Sequence, residues 1–202
     1  NKAMFMSQNG DYDGAIAVFE ELGEYSDSAD KAKDIYKKQH SFDKKVGHYV
    51  SFGKYEQDNN TSNGKEKIEW LVLEVKDGKA LVISKYALDC KPYNVTWETC
   101  SLRNWLNNDF INSAFSATEK TMIPSVKVSA DKNPDYSTSS GKATQDRLFL
   151  LSVKEMNKYL SSNSKRRCKS TDYAVANGAK GNYCSWWLRS PGAYQSYATE
   201  VF

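Results

Sequence analysis

Histidine is almost absent: the 202-residue chain has two, His40 and His48. A Ser-His-Asp set needs an imidazole beside its nucleophile, so hydrolysis by that route is not expected. Cysteine is sparse as well. Cys90, Cys100, Cys168 and Cys184 include no C-x-x-C pair, and with so little histidine a zinc site has no closely spaced ligands. Four cysteines allow three disulfide connectivities, among which spacing alone does not choose, and isolated buried thiols are the expected state. No basic run exceeds Lys165, Arg166, Arg167 and the nearby Lys169, and the formal charge is only +3. A nucleic-acid partner is therefore not expected. No stretch approaches ~20 apolar residues, so nothing here should insert in a membrane. The chain opens at Asn1, without Met and already inside a helical pattern, and reads as a fragment. The absence of a signal peptide then says little about the parent protein.

What is present is a foldable composition, 40% hydrophobic and 26% charged. The charge is uneven. Residues 1–40 carry five Lys against eight Asp or Glu, a balance of −3, which leaves +6 for the remainder. Aromatic residues reach 13%, with thirteen Tyr and five Trp. Tyrosine offers wide contact area at low entropy cost and suits binding surfaces, although it also fills ordinary strand positions.

The first forty residues read as helices. A break is expected at Asn9-Gly10, then a helix from Asp11 to Leu22 with Ala15, Ile16, Phe19 and Leu22 on one stripe. Asp11 or Asp13 can cap its start and Gly23 its end. A second helix should run from Ser28 to Gln39 with Ala29, Ala32, Ile35 and Tyr36 inward. The string GDYDGAIAVF (10–19) resembles the second half of a tetratricopeptide-type repeat. One such unit buries no face alone, so it must pack on a neighbour or on the following domain.

A second domain is expected over residues 46–202. Residues 50–55 alternate as a strand should, residues 58–65 form a polar turn, and residues 68–75 and 79–84 flank Asp77-Gly78, a hairpin signal. Leu102, Trp105, Leu106 and Phe110 recur at helical spacing after Thr99 or Ser101. Capping boxes open further helices at Ser116 and Ser152, and strands are predicted at residues 125–129 and 147–151. The polar loop 130–145 is long, which marks either function or plain flexibility. Its Asp131, Asn133 and Asp135, with Asp146, do not form a calcium motif.

The last motif is the most distinctive. Cys184 to Ala198 contains the string WWLRSPG (186–192). Trp186 and Trp187, adjacent on a strand, should face opposite sides, and Pro191-Gly192 should end the strand. Arg189 and Arg103 read as structural, paired with carbonyls or carboxylates and stacked on indole. The polar-aromatic segment beyond should be displayed.

This string resembles a family of uncharacterised bacterial domains. FGKYEQD (52–58), TSNGKEKIEWLVLEV (61–75), ALVISKYALDCKPYN (80–94), VTWETCSLRNWLNNDF (95–110) and FLLS (149–152) resemble it in the same order. The family in turn looks similar to the C-type-lectin-fold variable proteins of diversity-generating retroelements and to the formylglycine-generating enzyme fold. The resemblance implies an α+β, C-type-lectin-like domain of antiparallel strands with short helices, behind an N-terminal helical hairpin. It implies a non-enzymatic module of a bacterial surface or secreted protein, without cofactor, binding a protein or glycan through Ala193, Tyr194, Gln195, Ser196, Tyr197 and Thr199. Trp186, Trp187, Arg189, Pro191 and Gly192 would be its structural motif. Family members continue to a further closing strand, which is expected to be missing after Val201-Phe202. Two alternatives stay open: an oxidase-like enzyme with a reactive cysteine, and a structural linker module.

Overall fold

A computed structural model describes residues 2–23, 25–39, 44–93, 96–194 and 197–201. It begins with helices α1 (Lys2–Gln8), α2 (Tyr12–Glu21) and α3 (Ser28–Gln39). Asp11 accepts a hydrogen bond from the Gly14 amide (3.0 Å) and so starts α2, and Gly23 takes a positive φ just beyond its end. Ala15, Ile16 and Phe19 pack on Ala32, Ile35 and Tyr36 across the α2–α3 hairpin. Two positions differ from the sequence reading. Leu22, 46% exposed, and Ala29 lie outside this core, because α2 has ended at Glu21 and the α3 stripe runs through Ala32, Ile35 and Tyr36. The hairpin does not stand alone: Phe52 and Met122 of the following region close its core.

Next comes an antiparallel meander of β1 (Tyr49–Tyr55), β2 (Glu66–Lys76) and β3 (Lys79–Ser84). Asp77 and Gly78 both have positive φ (49° and 71°), as a type I′ turn requires. The meander is covered on both faces. Ile68 and Trp70 pack with Phe110, Ile111 and Phe115. Leu73, with Leu71 at its edge, packs with Leu151, Met156, Leu188 and Val201 on the other side. Strands buried on both faces lose strict alternation, which explains the near-continuous apolar run at 70–73.

The two-residue strand β4 (Tyr86–Ala87) precedes α4 (Ser101–Trp105), which passes through a π-helical turn (Leu106–Phe110) into α5 (Ile111–Ala114). The helix predicted here therefore carries a widened turn. Asn107 and Asn108 donate to the carbonyls of Arg103 (3.1 Å) and Asn104 (2.9 Å), serving backbone oxygens at the distortion. Both predicted capping boxes form, Ser116 with Glu119 at α6 (Ala117–Met122) and Ser152 with Glu155 at α7 (Val153–Tyr159). Between them β5 (Val126–Val128) pairs with β6 (Thr144–Asp146). The strand predicted at 147–151 is not a ladder strand. The Asn107 side chain takes the amides of Arg147 and Leu148 and the carbonyl of Leu148, and Arg189 takes the carbonyl of Leu150. With these backbone groups taken by side chains, a single backbone bond among the described residues, from the Arg189 amide to the Leu151 carbonyl (2.9 Å), joins the segment to β9.

The chain ends with α8 (Asn163–Arg166), β7 (Cys168–Ser170), α9 (Asp172–Ala176), β8 (Tyr183–Cys184), β9 (Trp186–Pro191) and β10 (Ala198–Val201). β7 lies between β4, parallel, and β8, antiparallel, whereas β10 pairs antiparallel with β9. The architecture is α+β: small, mainly antiparallel sheets, short helices and an N-terminal helical hairpin.

Glu119 ties the helical hairpin to the rest. Its carboxylate accepts from the Tyr36 hydroxyl (2.7 Å), the Gly53 amide (3.0 Å) and the Ser116 amide (2.9 Å). Glu20 of α2 in turn accepts from the Thr118 amide (2.8 Å). Gly53 sits at an irregularity of β1 with φ +74°, where a Cβ would lie 2.5 Å from the Phe115 ring and 2.8 Å from the Ala114 carbonyl. Gly53→Ala should cost about 2–4 kcal/mol, overpacking plus positive-φ strain. Gly64→Ala, at φ +90° with nothing within 4 Å of the added carbon, should cost about 1 kcal/mol. Urea unfolding of the two variants checks the difference; equal losses would mean that the contact with Phe115 is unimportant.

Candidate functional site

Arg189 is the centre of the region. It is 3% exposed, on β9, with Leu188 and Ser190 buried on either side. Its guanidinium has an acceptor for every N–H. Nε donates to the Ser129 carbonyl (3.1 Å), and Nη1 to the Leu150 carbonyl (2.7 Å) and to Glu155 Oε2. Nη2 donates to Glu155 Oε1 (2.9 Å) and Asp131 Oδ2 (3.2 Å). Only a planar fork satisfies two oxygens of one carboxylate while reaching others edge-on. The guanidinium lies over Phe149 (5.8 Å), so the expected stacking falls on a phenyl ring and not on indole.

The acceptors are themselves held. Glu155 closes the α7 capping box, and Ser152 donates to Asp131 Oδ2 (2.8 Å). The Ser190 hydroxyl donates to the Asp131 carbonyl (3.1 Å) and accepts from the Val153 amide (3.1 Å). The network thus joins β9, α7, residues 149–151 and the start of the long loop, now bounded as 129–143.

Trp186 and Trp187 leave β9 on opposite sides, as adjacent strand residues must. Trp186 packs in the core under the meander and donates to the Arg166 carbonyl (2.9 Å). Trp187 packs with Tyr93 and donates to the Lys91 carbonyl (3.2 Å). Arg103 is a second structural arginine. It pairs with Asp146 (2.7 Å), which also accepts from Trp97 (3.0 Å) and Thr144 (2.5 Å).

Beyond Pro191 the chain turns back. The Gly192 amide donates to the Tyr197 carbonyl (2.7 Å) and the Tyr197 amide to the Tyr194 carbonyl (3.0 Å). The long loop clamps this turn. Buried Asn133 donates to the Pro191 carbonyl (3.0 Å) and the Thr199 hydroxyl (2.8 Å), and Thr138 donates to the Gly192 carbonyl (2.9 Å). Above the clamp Tyr194 is 70% and Tyr197 64% exposed, their rings edge to face at 6.3 Å. With Tyr136, Gly192, Thr199 and Glu200 they line an open groove of about 460 Å³. Thr199 differs from its expected display: it is half-buried and its hydroxyl donates to the Pro191 carbonyl (2.9 Å), so it braces the turn. Gln195 and Ser196 lie outside the described residues. Tyr136 was missed by sequence reading, since it enters the groove from a loop nearly sixty residues upstream.

The acidic residues of the loop do not converge. Asp131 serves Arg189 and Ser152, Asn133 serves the turn, and Asp146 serves Arg103. Among the described residues, carboxylates that approach closely enough to share a cation are Glu56, Asp58 and Glu66, with oxygens within 4.8 Å of one another. They are occupied by their own loop: the Asn60 amide donates to Glu56 (2.9 Å) and Asp58 (2.8 Å), and the Gln57 amide to Glu66 (2.6 Å).

Fold and site together define an α+β domain whose C-terminal hairpin is clamped by a long loop under an exposed aromatic pair. A family model described as a domain of unknown function (DUF6273) matches residues 77–202, and the chain belongs to that family. The match starts at the Asp77-Gly78 turn and includes the whole Arg189 network and the groove. No curated protein and no solved structure matches the chain.

Removing Arg189 would leave two carboxylates facing each other without a cation. Arg189→Met should destabilise the domain by about 3–5 kcal/mol. Arg189→Lys should recover less than half of that, because an ammonium keeps the charge but not the fork. Thermal and urea unfolding of both variants are the measurements; a lysine variant as stable as the parent would show that charge alone suffices.

Proposed function

We propose that this domain is a non-enzymatic recognition module that binds a protein or glycan ligand at the Tyr136–Tyr194–Tyr197 groove. The observation that carries the reading is the contrast between base and rim. The peptide groups beneath the two tyrosines are fixed by Asn133, Thr138 and the Arg189 network, yet the rings themselves are held open to solvent. Among the described residues most aromatic side chains are buried or half-buried, and exposing two adjacent ones forgoes roughly 1.5–3 kcal/mol of burial each. A rigid stem under exposed tyrosines reduces the ordering cost of association. Tyrosine rings stack on sugar faces or fill apolar pockets, and Glu200 places a carboxylate at the groove edge.

The resemblance to C-type-lectin-fold variable proteins supports the same location, since the segment after WWLRSPG is where those proteins contact ligands. On that resemblance the module would belong to a bacterial surface or secreted protein, with the helical hairpin as a degenerate tetratricopeptide-like unit. A shallow open groove favours recognition of an extended surface over enclosure of a small substrate.

The test is binding of the chain to glycan and peptide arrays, beside a Tyr194→Ala/Tyr197→Ala double variant. Ligands of the parent should lose at least about tenfold in affinity, as for paired aromatic hot spots, while the unfolding midpoint stays within a few degrees. Ligands bound equally by both proteins would place recognition elsewhere and overturn the proposal.

A further inference from the structure

The cysteines that spacing could not pair are placed by strand register. Cys168 of β7 and Cys184 of β8 are direct cross-strand partners. Residues directly opposite in an antiparallel pair have Cα atoms ~4.5–5.5 Å apart and side chains on the same face. That separation lies inside the range of about 4.4–6.8 Å that a disulfide spans. Both thiols are half-buried, so neither is sealed from a small reagent. Cys100 differs: it is buried, and its sulfur accepts from the Arg103 amide (3.3 Å) as the cap of α4.

The surroundings favour reaction at Cys184. The neighbouring Cys168 side chain is the main cause that holds Cys184 below the ordinary thiol range, and the same proximity, with burial, raises Cys168. Ser170, two residues along β7 on the same face as Cys168, carries a buried hydroxyl without a hydrogen-bond partner, which is available to a Cys184 thiolate. One thiol is thus prepared as nucleophile with the second beside it, the arrangement that thiol–disulfide exchange requires.

We infer that Cys168 and Cys184 form a redox site, a dithiol that closes reversibly to a cross-strand disulfide by exchange with small-molecule disulfides. The Cys184 thiolate attacks one sulfur of the reagent, breaking its S–S bond and releasing one thiolate. The mixed disulfide formed at Cys184 is then attacked by the sulfur of Cys168, which loses its proton as the Cys168–Cys184 bond forms. The second half of the reagent leaves. The protein gives up two electrons and two protons, and the reagent departs as two thiols. The closed loop would hold α9 between its ends and stiffen the chain two residues before Trp186, at the root of β9.

The experiment equilibrates the native chain in oxidised or reduced glutathione, quenches with an alkylating reagent and reads intact mass and digested peptides. Oxidation should remove two alkylation sites with a loss of about 2 Da, two hydrogens, in a peptide linking Cys168 to Cys184, and dithiothreitol should restore both sites. In Cys168→Ser the reaction should stop at a glutathione adduct on Cys184. Full alkylation of Cys168 and Cys184 after oxidation, or a link from either to Cys90 or Cys100, would overturn the inference. The peptide readout on the unsubstituted chain stands even if the variant fails to fold.

Discussion

The buried guanidinium of Arg189 is the constraint on which the C-terminal half depends. A charge at that depth is tolerated only when its donors are all answered, and the answers come from Ser129, Asp131, Leu150 and Glu155. These belong to a loop, an extended segment and a helix start that have little regular backbone pairing of their own. The arginine therefore acts as the shared partner that replaces a continuous sheet. Because Asp131 and Glu155 are also engaged by Ser152, through its hydroxyl and its amide, displacing one member leaves several buried polar groups without partners. Such a network is resistant to partial loosening, and it gives β9 a fixed position relative to the long loop.

The same device recurs twice at smaller scale. Asp146 gathers Arg103, Trp97 and Thr144, fixing α4 against β6. Glu119 gathers Tyr36, Gly53 and Ser116, fixing the helical hairpin and β1 against α6. In each case a carboxylate with several acceptor positions joins elements too short to be stable alone. This is how a chain with small sheets and helices of mostly four to seven residues beyond the meander is held together. Side-chain-to-backbone bonds carry joints that longer ladders would otherwise provide.

The groove follows from this economy. A loop recruited to satisfy Arg189 necessarily passes over the β9–β10 turn, and there Asn133 and Thr138 take up its carbonyls. The loop thus brings Tyr136 beside Tyr194 and Tyr197 at no separate structural requirement. On the opposite flank, the strand preceding the double tryptophan pairs with β7, so Cys184 and the root of β9 share one segment of chain.

Local chemistry was legible before any coordinates: the Asp77-Gly78 turn, the capping boxes at Ser116 and Ser152, the Asp11 cap, and the opposed tryptophans each depend on residues within four positions of one another. The α+β class was implied by the family resemblance and is consistent with these signals, and the display of the turn after Pro191-Gly192 was expected from its polar composition. Other features were not legible because their causes are distant. Residues 147–151 have the pattern of a strand, yet their backbone is claimed by Asn107 and Arg189, some forty residues away on each side. Thr199 has the composition of a displayed residue, yet Asn133 draws its hydroxyl inward. The opposition of Cys168 and Cys184 depends on the register of two short strands around α9, and the entry of Tyr136 into the groove on where a long loop is tied down. Caps, turns and strand alternation are settled by nearest neighbours along the chain, whereas register, loop anchoring and the fate of a buried charge are settled by whichever partner lies within hydrogen-bond reach after folding.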